Sequence, residues 1–210
     1  MGQQAVPKKR VITYVDGFNL YFGLRDSGWR RYYWLNVQRL TENILPPDSV
    51  LAGVKYFTAR VTSPQDKRKR QNDYLEALQT VTACQMFFGK YQFQTVFCQN
   101  CYHEDRVPNE KMTDVNIAVE MMTDAFEDRF DTAMLISGDS DLTPPVTAIR
   151  RLFPEKRVLV AFPPKRHSDE LERSASSFFV IVRTKLRDSQ LPEEIVKPDG
   201  YVLKRPDRWR

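Results

Sequence analysis

No run of apolar residues in the 210-residue chain approaches the roughly 18 needed to span a membrane, so no membrane partner is expected. The apolar stretch behind Lys8-Lys9-Arg10 is too short for the h-region of a secretory leader. Cysteine is scarce and odd in number: Cys84, Cys98 and Cys101 argue against a secreted disulfide framework and for reduced thiols or a metal knuckle. These absences predict a cytoplasmic chain. Internal repeats and low-complexity tracts are absent as well. Nor is the charge strongly one-sided. Lys plus Arg number 32 against 27 Asp plus Glu, a net +5 that suits a polyanionic partner without requiring one.

What is present reads as one sizeable core, with strands alternating with helices. Residues 11–15, 132–136 and 157–162 are apolar throughout rather than at every second position, as in buried parallel strands. Residues 50–61, 86–97 with a break near Gly89, and 178–182 complete the strand set. Val37, Leu40 and Ile44 mark one helix before Pro46-Pro47. Ser63 and Pro64 are expected to open another, whose stripe is Tyr74, Leu75, Leu78 and Val81. Thr113 is expected to cap a helix burying Val115, Ala118, Met121, Met122 and Ala125, and Val146, Ile149 and Leu152 mark the next. The polar stretch 98–110 reads as a loop. The pattern predicts an α/β fold, doubly wound, with a mainly parallel sheet and helices on both faces. One domain is expected over 11–184, between a basic N-terminal segment, 1–10, and a polar C-terminal tail, 185–210.

In such a fold, function sits beyond the carboxyl ends of the strands. Asp16 follows the first strand, Asp139 and Asp141 follow the strand ending near Ile136, and Asp114 opens a helix. If the two strands are neighbours, these acids meet. Clustered carboxylates repel unless protonated or bridged by a cation, and oxygen-only ligands suit Mg²⁺ or Mn²⁺. The alternative is local: a turn at Asp16-Gly17, a favourable charge at a helix start for Asp114, and caps at Asp139 and Asp141.

Val15-Asp16-Gly17-Phe18-Asn19-Leu20, Glu110-Lys111-Met112-Thr113-Asp114-Val115-Asn116 and Ile136-Ser137-Gly138-Asp139-Ser140-Asp141-Leu142 resemble the three signature segments of the NYN domain family, in its LabA-like branch of PIN-like nucleases. The resemblance runs from about Val11 to Val182. A weaker likeness extends to the terminal Arg205-Pro206-Asp207-Arg208-Trp209. It implies a PIN-like sheet and a Mg²⁺- or Mn²⁺-dependent endoribonuclease. By position, Asp16, Asp114, Asp139 and Asp141 would hold the metal, Asn19 would orient a ligand or water, and Ser137 would assist through its hydroxyl. Family members often carry an acid where this chain has Ser176.

Lys67-Arg68-Lys69-Arg70 covers more than one helix face and is a candidate RNA-backbone contact, its alternative being a solvated helix start. Phe18, Tyr21, Phe22, Trp29, Tyr32, Tyr33 and Trp34 offer a stacking surface for bases, although Phe18 and Tyr21 suit the core. Cys98 and Cys101 with His103, and Cys84 if the fold brings it near, are candidate ligands of a structural zinc. Two other functions compete with RNA hydrolysis: a noncatalytic RNA-binding or regulatory module, and a phosphate-transferring hydrolase of another α/β family. Against the latter, Asp16-Gly17-Phe18-Asn19 lacks the second aspartate two residues on that haloacid-dehalogenase-type phosphatases use.

Overall fold

The computed structural model describes residues 8–97 and 104–210. Its centre is a six-stranded sheet in which every neighbouring pair is parallel. The strands are β1 (Lys9–Asp16), β2 (Ser49–Thr58), β3 (Gln85–Phe88), β6 (Thr132–Ile136), β7 (Arg157–Phe162) and β8 (Ser177–Val180), in the order β3-β2-β1-β6-β7-β8. The chain winds outward from β1 in one direction through β2 and β3, then restarts beside β1 at β6 and winds outward in the other. The switch point therefore lies between β1 and β6, where Val15 pairs with Ile136.

Side chains of β1 alternate between two cores. Val15 faces one with Ile136 and Ala161, whereas Ile12 and Tyr14 face the other with Ala133, Leu135, Val158 and Val160. The first core is covered by α1 (Gly17–Asp26), α2 (Val37–Ile44) and α3 (Gln65–Val81); the second by α4 (Thr113–Phe126), α5 (Thr143–Leu152) and α6 (Asp169–Ser174). The doubly wound expectation holds.

Several local expectations need correction. Residues 98–110 are not all loop: β5 (Glu104–Lys111) pairs antiparallel with β4 (Lys90–Phe97). A two-stranded ribbon forms through backbone hydrogen bonds and needs no apolar alternation, so its polar second strand gave no strand signal. Pro64 rather than Ser63 occupies the cap position of α3, and makes no side-chain cap bond. Met112, at φ 78°, precedes α4, so Thr113 is the first helical residue rather than the cap. The buried face of α4 is Ile117, Met121, Asp124 and Ala125, while Val115 is 60 % exposed. Asp124 disguised that face, because a fully buried carboxylate is tolerated here only through its partners. It takes a salt bridge from Lys55 at 2.6 Å and a hydrogen bond from the Tyr14 hydroxyl at 2.6 Å.

The polar stretch beyond Asp188 folds back as β9 (Glu194–Val196) against β10 (Val202–Lys204), after a short helix α7 (Arg183–Arg187). Ile195, Leu203 and Trp209 are buried in the first core, and the Trp34 indole N–H donates to the Pro192 carbonyl at 2.7 Å.

Candidate active site

Asp16 is the last residue of β1 and the cap of α1, with extended backbone. Its Oδ1 accepts the Asn19 N–H at 2.9 Å, as an N-cap does. Its Oδ2 accepts the Ser137 hydroxyl, also at 2.9 Å, from the end of the adjacent strand. Ser137 in turn accepts the Asp139 N–H at 3.1 Å, and Asp139 Oδ1 accepts the Asp141 N–H at 3.0 Å. Asn19 closes the frame: its side-chain oxygen accepts the Gly138 N–H at 2.9 Å, tying α1 to the loop after β6. The local roles of turn and cap are thus real, but they use only part of what these side chains offer.

Two glycines make the approach possible. A Cβ on Gly17 would sit 2.6 Å from the Tyr56 ring and 2.7 Å from the Phe57 carbonyl oxygen, inside van der Waals contact. One on Gly138 would meet the Arg166 backbone at 2.8 Å.

Asp16 is almost fully buried, and its carboxyl is pushed up to about 7. Burial is the main cause, opposed by the Asn19 and Ser137 hydrogen bonds and reinforced by the charges of Asp114 and Asp139. Asp114 lies in the first turn of α4, where a helix N-terminus favours an anion. Its carboxyl is nonetheless raised, first by burial and then by Asp139 and Asp141. The four acids feel one another across the switch point. Among the described residues, no group of three or more His, Cys, Asp and Glu side chains is drawn together as a set able to hold a metal ion. In kind, however, the donors fit a hard divalent cation: they are oxygens only, with surplus negative charge and one buried carboxyl whose ionised form lacks a cationic partner in the frame described.

The other candidates are dispersed. Ser176 stitches the amino-terminal ends of β7 and β8, accepting the Val158 N–H at 3.1 Å, and so lies at the edge opposite the acids. Tyr32, Tyr33 and Trp34 are buried rather than free to stack on bases; Phe18, Tyr21, Phe22 and Trp29 are partly exposed. Cys84 is buried and its thiol is pushed up to about 12 by burial, which disfavours the thiolate that zinc requires. Cys98, Cys101 and His103 lie outside the described residues, as do residues 1–7 of the basic N-terminal segment. In the basic run, Arg70 pairs with Asp66 and Lys69 with Asp73, both at 2.7 Å, while Arg68 is exposed. The Asn19–Gly138 tie was not anticipated, and its only sequence signal was the recurrence of Gly beside Asp in both strand-end segments.

A mainly parallel six-stranded sheet with helices on both faces is an α/β fold consistent with a PIN-like domain. The chain belongs to the NYN domain family, whose model matches residues 10–182. It is similar to the 6-hydroxy-3-succinoylpyridine 3-monooxygenase HspA of Pseudomonas putida, at 26% identity, with 67% of this chain and 55% of that protein covered. The chain thus spans about half the length of that relative. The fold is also similar to a crystal structure of a protein of unknown function from Vibrio parahaemolyticus, with a TM-score of 0.54 and 19% identity, covering 90% of this chain and 100% of that one. Among the described residues, no helix is long and apolar enough to cross a membrane.

Proposed function

We propose that this chain is a metal-dependent endoribonuclease of the LabA-like branch, cleaving RNA at the carboxyl edge of β1 and β6. The observation that carries the reading is the buried Asp16 carboxylate, held between the Asn19 N–H and the Ser137 hydroxyl within electrostatic reach of Asp114 and Asp139. The family's nucleases generally use divalent metal ions, and Asp16, Asp114, Asp139 and Asp141 are the residues that would hold Mg²⁺ or Mn²⁺. Such a cation supplies Lewis acidity toward water and toward the nonbridging phosphate oxygens.

The chain's own residues set the geometry. Ser137 fixes the Asp16 carboxylate plane and at the same time positions the Asp139 backbone, so one hydroxyl couples both strand ends. Asn19 acts by holding the two loops in register. Asp141 is exposed, and its backbone N–H is tied to Asp139. The expected product ends are a 5′-phosphate and a 3′-hydroxyl. The name of the Pseudomonas relative points to oxygen insertion into a pyridine. The match of the NYN family over residues 10–182 is what favours hydrolysis for this chain.

The test is cleavage of mixed single-stranded and structured RNA with Mn²⁺ or Mg²⁺, with and without chelator. Asp16→Asn and Asp139→Asn should each abolish metal-dependent cleavage while leaving the circular dichroism spectrum unchanged. Equal cleavage by the wild type and both variants would reveal a contaminating nuclease and sink the assignment. Metal-independent RNA binding without cleavage would favour the noncatalytic module.

A further inference from the structure

A cavity of about 380 Å³ lies between α1, the end of β2, α3 and the C-terminal residues, and its wall begins at Gly17, one residue beyond Asp16. That volume is within the range of about 300–1,000 Å³ typical of small-molecule sites. Its apolar wall is aromatic and ordered. The Trp209 ring stands edge-on to Tyr33, with centroids 5.7 Å apart at 79°, and edge-on to Tyr74 at 6.2 Å and 78°. These rings are each at most 9 % exposed, so they are fixed by packing and give the cavity a rigid aromatic wall against which a flat group can lie.

The lining is also strongly cationic. Arg25, Arg30, Lys67, Arg70 and Arg208 contribute to it, against the single carboxylate of Asp66. Asp66 is already engaged by Arg70 at 2.7 Å and approached by Arg208 at 3.8 Å. Arg30 and Lys67 make no ion pair among the described residues. Arg25 is held by Asp26 at 3.0 Å, which leaves four cations about the one lining acid. A folded chain does not gain stability by gathering them there, nor by leaving a space of this size beside its core. An anion with a flat apolar body answers both features at once.

We propose that this cavity binds a planar aromatic ring bearing an anionic substituent, its ring against the wall that Tyr33, Tyr74 and Trp209 line and its charge at Arg30 and Lys67. Two sources share that chemistry: a nucleotide, with its base and 5′-phosphate, and a free aromatic carboxylate. The site adjoins the acid edge at Gly17 but uses none of its four carboxylates, and it takes its ligand without a metal. Its success or failure is therefore independent of RNA hydrolysis.

Trp209 makes the test direct, because a ring lying against the wall it lines alters indole fluorescence. The full chain is titrated in chelator with adenosine and cytidine 5′-monophosphates and with pyridine-3-carboxylate, the uncharged adenosine and pyridine-3-carboxamide serving as controls. Isothermal calorimetry is run in parallel. At least one anionic probe should bind saturably, and its uncharged counterpart about tenfold more weakly, the factor expected for loss of one charge-assisted contact. Arg30→Ala combined with Lys67→Ala should weaken the anionic probe by at least as much, with the fold verified by circular dichroism. Trp209→Phe should shrink the optical signal to whatever Trp34, 6.2 Å away, still reports, while calorimetry still reports binding. Asp16→Asn should bind as the wild type does. Binding by nucleotides alone identifies the nucleotide source, and binding by the pyridine carboxylate alone the free acid. The proposal is overturned if no anionic probe saturates up to about 10 mM, far weaker than a built site of this size warrants. It is also overturned if the double variant binds as tightly as the wild type, or if Asp16→Asn abolishes binding.

Discussion

The acid edge and the aromatic cavity meet at Asp16-Gly17, yet they are assembled in opposite ways. At the acid edge, Asp16, Asn19, Ser137, Gly138 and Asp139 come from two short loops after neighbouring strands, and each is fixed by a hydrogen bond of 2.9 to 3.1 Å. Polar geometry holds that region together. In the cavity, Tyr33, Tyr74 and Trp209 arrive from three distant parts of the chain and are held mainly by ring packing, with one anchor, the Tyr74 hydroxyl donating to the Leu35 carbonyl at 2.9 Å. A conservative polar substitution should therefore disable the first without loosening the fold, whereas a truncation in the second should loosen the fold without touching the acids.

The largest expected effect lies at the acid edge. Asp139→Asn keeps an oxygen able to accept the Asp141 N–H but removes the charge, so the loop survives while the proposed cation would lose an anionic ligand. Metal-dependent RNA cleavage should fall by roughly 100-fold or more, as for the loss of other preorganised electrostatic groups. A fall below about tenfold, measured on the same RNA at saturating Mn²⁺, would remove Asp139 from the site.

The contrasting break is Trp209→Ala. The ring is buried against Tyr33, Trp34 and Tyr74, so its truncation leaves a hole that the rigid neighbours fill poorly. A loss of about 3 kcal/mol is expected from urea unfolding. Cleavage measured well below the unfolding transition should stay within about threefold of wild type, which is under 1 kcal/mol. Stability unchanged by Trp209→Ala would mean that the C-terminal segment is not part of the fold's support.

These two regions also explain how much could be read in advance. The continuous apolar runs of β1, β6 and β7 announced buried parallel strands, and the acids directly behind β1 and β6 marked the strand ends that the Asp16–Ser137 hydrogen bond joins. Those signals are local. The C-terminal segment read as a tail because its buried residues, Ile195, Leu203 and Trp209, are single apolar positions in polar surroundings, without a period. Their reason for burial is a surface formed by α3 and by residues 32–35, far away in sequence. The face of α4 was misjudged for a related cause: Asp124 interrupts the apolar stripe, and the Lys55 that neutralises it lies on another element. Partnerships across the fold leave no periodic trace in the chain.

A smaller effect sharpens the electrostatic side of the comparison. Asp16 is buried without a cation among its hydrogen-bond partners, and Asp114 and Asp139 add repulsion. Asp16→Asn should therefore raise the unfolding free energy by about 1 kcal/mol at pH 8 in chelator, a fraction of the several kcal/mol that burying an unpaired carboxylate costs. Adding Mn²⁺ should stabilise the wild type, since a ligand of the folded state shifts unfolding upward, and should stabilise the variant less. Thermal unfolding of both proteins with and without Mn²⁺ measures the two shifts together. An Asn variant less stable than wild type in chelator would show that the Asn19 and Ser137 bonds outweigh burial and repulsion.

The smallest effect belongs to the basic run at the start of α3. Lys67-Arg68-Lys69-Arg70 was expected to act as a unit, but its members differ. Lys69 and Arg70 are tied to Asp73 and Asp66 one helical turn away, so for a phosphate each must give up an acid. Arg68 is exposed and Lys67 partly so, and neither makes an ion pair among the described residues. Surface pairs of this kind contribute only about 0.3–0.5 kcal/mol, yet that is enough to rank four similar cations. RNA binding by an Asp139→Asn protein in chelator should weaken two- to threefold for Arg68→Ala, roughly 0.5 kcal/mol, and by less for Lys69→Ala. The loss should be the same for unrelated RNA sequences, with a shallower dependence on salt, because a phosphate contact releases counterions without reading a base. Fluorescence anisotropy across a salt series resolves both quantities. Equal losses for the two variants would mean that the Lys69–Asp73 pair opens freely on binding, and a loss confined to one RNA would mean that Arg68 touches a base.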